Sequence, residues 1–79
     1  MDKNSVEKKV LEEISKRLVM KKEEIVSFLE NEIENPFSAF KEATQNLSIH
    51  GFIRYVNEIG AFTITQKGIK EVNKNEEES

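Results

Sequence analysis

Apolar residues recur at helical spacing in the first third of the chain and predict two amphipathic helices. Helix 1 is predicted to begin at a capping box spanning Asn4 to Glu7. Its apolar positions are Val6, Val10, Leu11, Ile14 and Leu18. Helix 2 is predicted from about Lys22 to Ile33, on the stripe Ile25, Phe28, Leu29 and Ile33. Pro36 prevents its smooth continuation, because the residue before a proline is pushed out of the helical region.

A third helix is predicted to begin at Asn35 and Pro36, since asparagine is a favoured cap and proline a favoured first helical residue. The rotation of about 100° per residue places two sets of side chains on opposite faces. One set is Phe40, Ala43, Thr44 and Leu47, and the other is Ser38, Lys41, Glu42, Gln45 and Ile49. We expect the first set in the core and the second in solvent. Gly51 is then expected to end the helix in a left-handed conformation.

Two short segments after Gly51 are rich in aromatic and β-branched residues and predict a β-hairpin. They are Phe52–Val56 and Ala61–Thr65, separated by the turn Asn57–Gly60. Alternation puts Ile53 and Tyr55 on one side of the first strand and Arg54 on the other. Thr65 is expected to end the second strand and to cap a fourth helix, whose Ile69 and Val72 face the core.

Length and charge limit the possible classes of protein. The chain has 79 residues, no cysteine, and 12 basic against 15 acidic residues, for a net charge of -3. This length allows one domain, predicted at residues 4–73, followed by an acidic tail at 74–79 that we predict to be disordered. The longest unbroken apolar run is only Leu18 to Met20, and together with the absence of cysteine it indicates a soluble, cytoplasmic protein. The near-neutral domain lacks the basic balance typical of nucleic-acid binders.

Two junctions carry a family resemblance. After helix 3, a leucine is followed at fixed spacing by glycine and two apolar residues, at Leu47, Gly51, Phe52 and Ile53. The hairpin ends with an aromatic, an apolar residue, threonine and glycine, at Phe62, Ile64, Thr65 and Gly68. On these residues the chain resembles the winged helix-turn-helix family of prokaryotic, particularly archaeal, DNA-binding regulators, over roughly Asn4 to Val72.

The resemblance implies an α+β fold, namely a winged helix. Such a fold has a three-helix helix-turn-helix core, a two-stranded β-hairpin wing after helix 3, and a short C-terminal helix. It also implies a small DNA-binding transcriptional regulator that places helix 3, about residues 36–49, in the major groove of double-stranded DNA. A homodimer on a two-fold site is expected, because a module of this size makes few base contacts.

Candidate DNA contacts follow from this placement. The exposed side chains of helix 3 that would read bases are Ser38, Lys41 and Gln45, with Glu42 beside them. Lys21 and Lys22 at the start of helix 2, and Arg54 on the first wing strand, would contact phosphates. Lys67 and Lys70 near helix 4 are further candidates. Glu42 would repel phosphate unless it accepts a hydrogen bond from a cytosine amino group.

A protein-interaction module is the alternative, since the same fold also serves that purpose. The acidic balance, Glu42 and the hairpin turn favour it, because Glu58 and Ile59 stand in that turn where basic residues would suit DNA. An apolar rim of Ile49, Val56 and Ile59 is a candidate protein contact.

Catalytic and ligand-binding chemistry has little support in the sequence. His50 is the only histidine, and no cysteine accompanies it to build a metal site or a catalytic set. We therefore expect no enzyme activity, no cofactor or metal, no small-molecule ligand and no membrane association.

Overall fold

Helices and short strands alternate along the chain in this computed structural model, which describes the backbone of residues 3–78 and the side chains of residues 5–74. The described elements are α1 (Lys3–Arg17), β1 (Val19–Lys21), α2 (Lys22–Glu30), α3 (Pro36–Ile49), β2 (Ile53–Val56), β3 (Ala61–Ile64) and α4 (Gln66–Glu78). The chain is therefore an α+β protein. No helix among the described residues is both long and apolar enough to cross a membrane.

The core forms where the apolar stripes of the first three helices meet one face of the sheet. Its buried side chains are Val6, Val10, Leu11, Ile14, Met20, Ile25, Leu29, Phe40, Ala43, Leu47, Ile53 and Val72. The predicted inward face of α3 is confirmed, including Thr44, whose hydroxyl donates to the carbonyl oxygen of Phe40 at 2.7 Å. That bond lets a polar side chain lie in the core without an unsatisfied group.

The predicted start of helix 1 and the predicted end of helix 2 are both wrong. α1 is already helical at Lys3, the first described residue, so Asn4 lies inside the helix and not at its boundary. The carboxylate of Glu7 instead accepts a hydrogen bond from the side-chain amide of Asn46 at 2.9 Å. α2 ends at Glu30, and the amide of Ile33 donates to the carbonyl of Leu29 in the following turn. Ile33 still packs on the core, which explains why its spacing fitted a helix.

Leu18 does not belong to the core stripe of α1, contrary to the prediction. It adopts a left-handed backbone with φ of 72° and is 58% exposed. Its amide donates to the carbonyl of Ile14 at 2.6 Å, the pattern of a helix ended by one left-handed residue. Its carbonyl accepts from the amide of Ile64 at 3.2 Å, so this strained residue turns the chain from helix into sheet.

Strand β1, which the sequence pattern does not predict, completes a three-stranded antiparallel sheet in the order β1-β3-β2. In the register, Met20 lies opposite Phe62 on one side of β3, and Tyr55 lies opposite Phe62 on the other. Paired residues share a face, so the buried Met20 and Ile53 identify the inner face, which packs on the helices. Lys21, Arg54 and Thr63 lie on the opposite, outer face.

The end of α3 is set by Gly51, as predicted. Gly51 has φ of 78°, its amide donates to the carbonyl of Ser48 at 3.0 Å, and the amide of Phe52 donates to the carbonyl of Leu47 at 2.9 Å. These two bonds form a Schellman motif, which satisfies carbonyls that the helix end would otherwise leave without partners. The first residue of β2 then follows two positions after Gly51.

Thr65 connects the start of α4 to the junction between α3 and β2. Its hydroxyl accepts from the amide of Gly68 at 3.0 Å, which is the predicted helix cap. The same oxygen lies 2.6 Å from the carbonyl oxygen of Gly51 and 2.9 Å from that of Phe52. α4 continues to Glu78, beyond the predicted end of the ordered domain at residue 73. It includes residues 74–78 of the tail that the sequence predicts to be disordered, and Ser79 lies outside the described residues.

Candidate nucleic-acid interface

The outward side chains of α3 are exposed, as predicted, and they divide between two grooves. Ser38, Lys41, Glu42 and Gln45 all lie on the solvent side of the helix. Lys41 and Gln45 line a groove on the side of the hairpin, whereas Ser38 and Glu42 line a groove on the side of α1. The predicted reading face is therefore two surfaces with different neighbours.

The first groove, called here the basic groove, lies between α3, the first residue of α2 and the paired strands β2 and β3. It encloses about 510 Å³ and is lined by Lys22, Phe37, Phe40, Lys41, Thr44, Gln45, Ser48, Tyr55 and Phe62. None of these described lining residues carries a carboxylate. The groove thus presents two ammonium groups, the amide of Gln45 and the hydroxyl of Ser48 above an aromatic floor.

Phe37 is the most unusual residue of the basic groove. Its ring is 49% exposed, and the ammonium nitrogens of Lys22 and Lys41 lie 5.2 and 5.6 Å from its centroid. A cation over an exposed ring gains only about 0.5–1 kcal/mol, so each lysine can leave the ring for a stronger anionic partner. The groove therefore holds two ammonium groups beside one exposed ring, and both are available to an anion.

A chain of ring contacts connects Phe37 to the hairpin. Phe37 lies 6.1 Å from Phe40, Phe40 lies 5.9 Å from Phe62, and Phe62 lies 5.0 Å from Tyr55, all between ring centroids. These distances suit tilted and edge-to-face aromatic pairs. Tyr55 is 48% exposed at the far end, so the groove has an accessible ring on both the helix and the strand.

The second groove, called here the acidic groove, lies between α1, α3 and the segment that joins α2 to α3. It encloses about 520 Å³ and is lined by Val6, Glu7, Glu32, Ile33, Glu34, Asn35, Ser38, Ala39, Glu42 and Ala43. Four of these residues are glutamates and none is basic, although Lys9 reaches Glu32 at 3.1 Å. A phosphate near Ser38 would therefore meet a negative surface.

Lys21 and Arg54 do not reach the basic groove. Both lie on the outer face of the sheet, while Tyr55 and Phe62 line the groove from the inner face. The strand β3 also separates them from one another, since they stand on the two edge strands. Of the six predicted contact residues, the fold brings together Lys22, Lys41 and Gln45, and it places Ser38, Lys21 and Arg54 elsewhere.

The remaining residues singled out in the sequence lie outside both grooves. The ammonium of Lys67 lies 5.5 Å from the centroid of the Phe52 ring, and the centroid of the His50 ring lies 5.7 Å from the same centroid. Ile49 and Ile59 are exposed and line neither of these two grooves. No cluster of three or more acidic, histidine or cysteine side chains that could hold a metal ion occurs among the described residues.

Sequence reasoning missed Phe37 and Tyr55 as site residues. A signal existed for Phe37, because it stands four positions before Lys41 and therefore one helical turn away on a polar face. The sequence pattern places Tyr55 on the correct strand. Its position beside α3, however, depends on how the hairpin packs against that helix. That contact is long-range and has no local sequence pattern.

Comparison with protein-family models, with curated proteins and with solved structures gives no match. The resemblance to winged helices therefore depends on the two junctions and on the order of elements.

Proposed function

We propose that this protein is a small DNA-binding regulator that uses α3 and the basic groove to hold nucleic acid. The observation that supports this proposal is the division of charge around α3. The residues that line the groove on one flank of the helix include Lys22 and Lys41 and no carboxylate, whereas those that line the groove on the other flank include four glutamates. A chain with a net charge of -3 can still bind a polyanion if its charges are segregated in this way.

The proposed arrangement is a winged helix. α1, α2 and α3 would form the three-helix core, with α2 and α3 as the helix-turn-helix pair, and the β2–β3 hairpin would be the wing. The order of elements and the junctions at Gly51 and Thr65 support this assignment. In this arrangement Lys41 and Gln45 contact base edges, and Lys22 at the start of α2 contacts a phosphate.

We leave Ser38, Lys21 and Arg54 out of the proposed contact set. Ser38 lines the acidic groove, where a phosphate would be repelled. Lys21 and Arg54 lie on the outer face of the sheet, turned away from α3. They are useful controls for this reason.

A titration of labelled duplex DNA by fluorescence anisotropy, at several salt concentrations, tests the proposal. Lys22→Gln and Lys41→Gln should each weaken binding and reduce the slope of log K against log salt by about 1. Arg54→Gln, an exposed change on the outer face of the sheet, should leave both the affinity and the slope nearly unchanged. Affinity weaker than ~100 μM that does not depend on salt would refute the proposal, since phosphate contacts require that dependence.

A protein-interaction module is the second candidate, and the acidic groove is the observation that favours it. A groove with four glutamates and an apolar floor of Val6, Ile33 and Ala43 suits a basic segment of another protein. Titration with a lysine-rich peptide, followed by amide chemical shifts, tests this function. Shifts confined to α1 and the start of α3, together with no DNA binding, would favour it over the first proposal.

A further inference from the structure

We infer that the basic groove accepts an unpaired nucleobase, so that the preferred ligand is single-stranded DNA or a duplex with an adjoining single strand. This inference rests on the proposed function and specifies its substrate class. The feature that supports it is the pair of exposed rings, Phe37 on α3 and Tyr55 on β2, that face one carboxylate-free groove.

The paired interior of a duplex gives these rings nothing to stack on. There, both faces of each base are covered by its neighbours, and only the edges and the phosphates are accessible. An unpaired base exposes its faces, and proteins that bind single strands combine such bases with aromatic side chains and a positive groove. The two half-exposed rings of this groove would stay solvated along the paired interior of a duplex.

The groove has the size and the polar groups that this ligand requires. Its volume of about 510 Å³ is within the range of clefts that bind small organic groups. Gln45 and Ser48 line the same groove and can hydrogen-bond the edge of a base.

The two lysines complete the site by an exchange of partners. In the free protein their ammonium groups lie 5.2 and 5.6 Å from the Phe37 ring. A base that stacks on Phe37 displaces an ammonium group from the ring. The phosphates on either side of that base are then the nearest strong partners for the displaced ammonium group. Stacking and phosphate pairing are therefore made in the same step.

Tyr55 supplies a direct measurement. It is the single tyrosine of a chain without tryptophan, so the intrinsic fluorescence of the protein reports on the groove. We expect a short oligothymidylate to quench this emission, and a duplex with a single-stranded overhang to quench it more than the same duplex with blunt ends. Anisotropy should show the same order of affinity.

Phe37→Leu is the decisive variant. It removes the ring from an exposed position, and we expect a loss of roughly 5- to 100-fold in affinity for the overhang DNA with little change for the blunt duplex. Ile49→Ala, an exposed apolar change outside the groove, is the matched control and should have no effect on either. Circular dichroism should show that both variants keep the wild-type fold.

The outcomes separate this inference from the proposed function. If blunt and overhang DNA bind equally and Phe37→Leu changes neither affinity, the inference is wrong while DNA binding stands. If neither DNA binds, both are wrong. If an acidic peptide that contains phenylalanine quenches Tyr55 and binds more tightly than the oligonucleotide, the groove takes a peptide and the inference is also wrong.

Discussion

Replacing Gly68 with alanine probes the contact that fixes α4 against the rest of the fold. A Cβ at this position would overlap the carbonyl oxygen of Phe52 and would lie 2.7 Å from Cδ1 of Ile64. The obstruction is mainly backbone, so no side-chain rotation relieves it. α4 and the backbone at Phe52 must therefore move apart.

The expected cost follows from three contributions. Overpacking in a tight site costs about 1–3 kcal/mol. The carbonyl of Phe52 also accepts from the Thr65 amide at 3.1 Å and lies 2.9 Å from the Thr65 hydroxyl, and each bond lost costs about 1 kcal/mol. Alanine regains about 1 kcal/mol over glycine within a helix. The net loss should be about 2–4 kcal/mol, a large part of the stability of a domain of this size.

Urea unfolding followed by far-ultraviolet circular dichroism measures this loss. Gly51→Ala is a useful comparison, because its Cβ would meet only the Lys67 side chain at 3.7 Å while its φ of +78° strains any side-chain-bearing residue. We expect a smaller loss there, about 1–2 kcal/mol, from the backbone alone. A Gly68→Ala variant as stable as the wild type would refute the close approach of α4 to Phe52.

Three further changes test the junctions. Gly51→Val should cost about 2 kcal/mol or more, because a β-branched residue is forced into a left-handed backbone; an unchanged melting temperature would contradict the helix-end assignment. Leu18→Gly should stabilise the protein by about 0.5–1 kcal/mol, since relief of the left-handed strain exceeds the entropy cost of glycine and the exposed side chain buries little. A lower urea midpoint in this variant would show that Leu18 is not strained. Thr65→Val should cost about 1–2 kcal/mol through loss of the hydroxyl that caps Gly68, and Thr65→Ser should restore most of it. Equal stability of the valine and serine variants would rule out the capping role.

Local signals predicted most of the helices and both strands of the hairpin. The stripe of α3, the left-handed Gly51 and the cap at Thr65 each depend on residues within one or two turns of each other, so short-range sequence patterns suffice for them. The wrongly predicted helix ends also come from reliance on short-range sequence patterns. Asn4 has the features of a cap, but the carboxylate expected to complete the capping box is used by Asn46, on a distant helix.

By itself, the sequence determined the order of helices and hairpin strands, the core face of α3 and the two junctions that end it and begin α4. Only the tertiary structure decided that Val19–Lys21 is a strand, because three residues have no detectable period and pair with β3 far along the chain. The tertiary structure also decided which exposed residues line the same groove. Lys41 and Ser38 stand one turn apart on α3, yet packing gives one an aromatic hairpin as its neighbour and the other a cluster of glutamates. The physical reason is that helical spacing specifies a direction from the helix axis, whereas the partner in that direction depends on long-range packing.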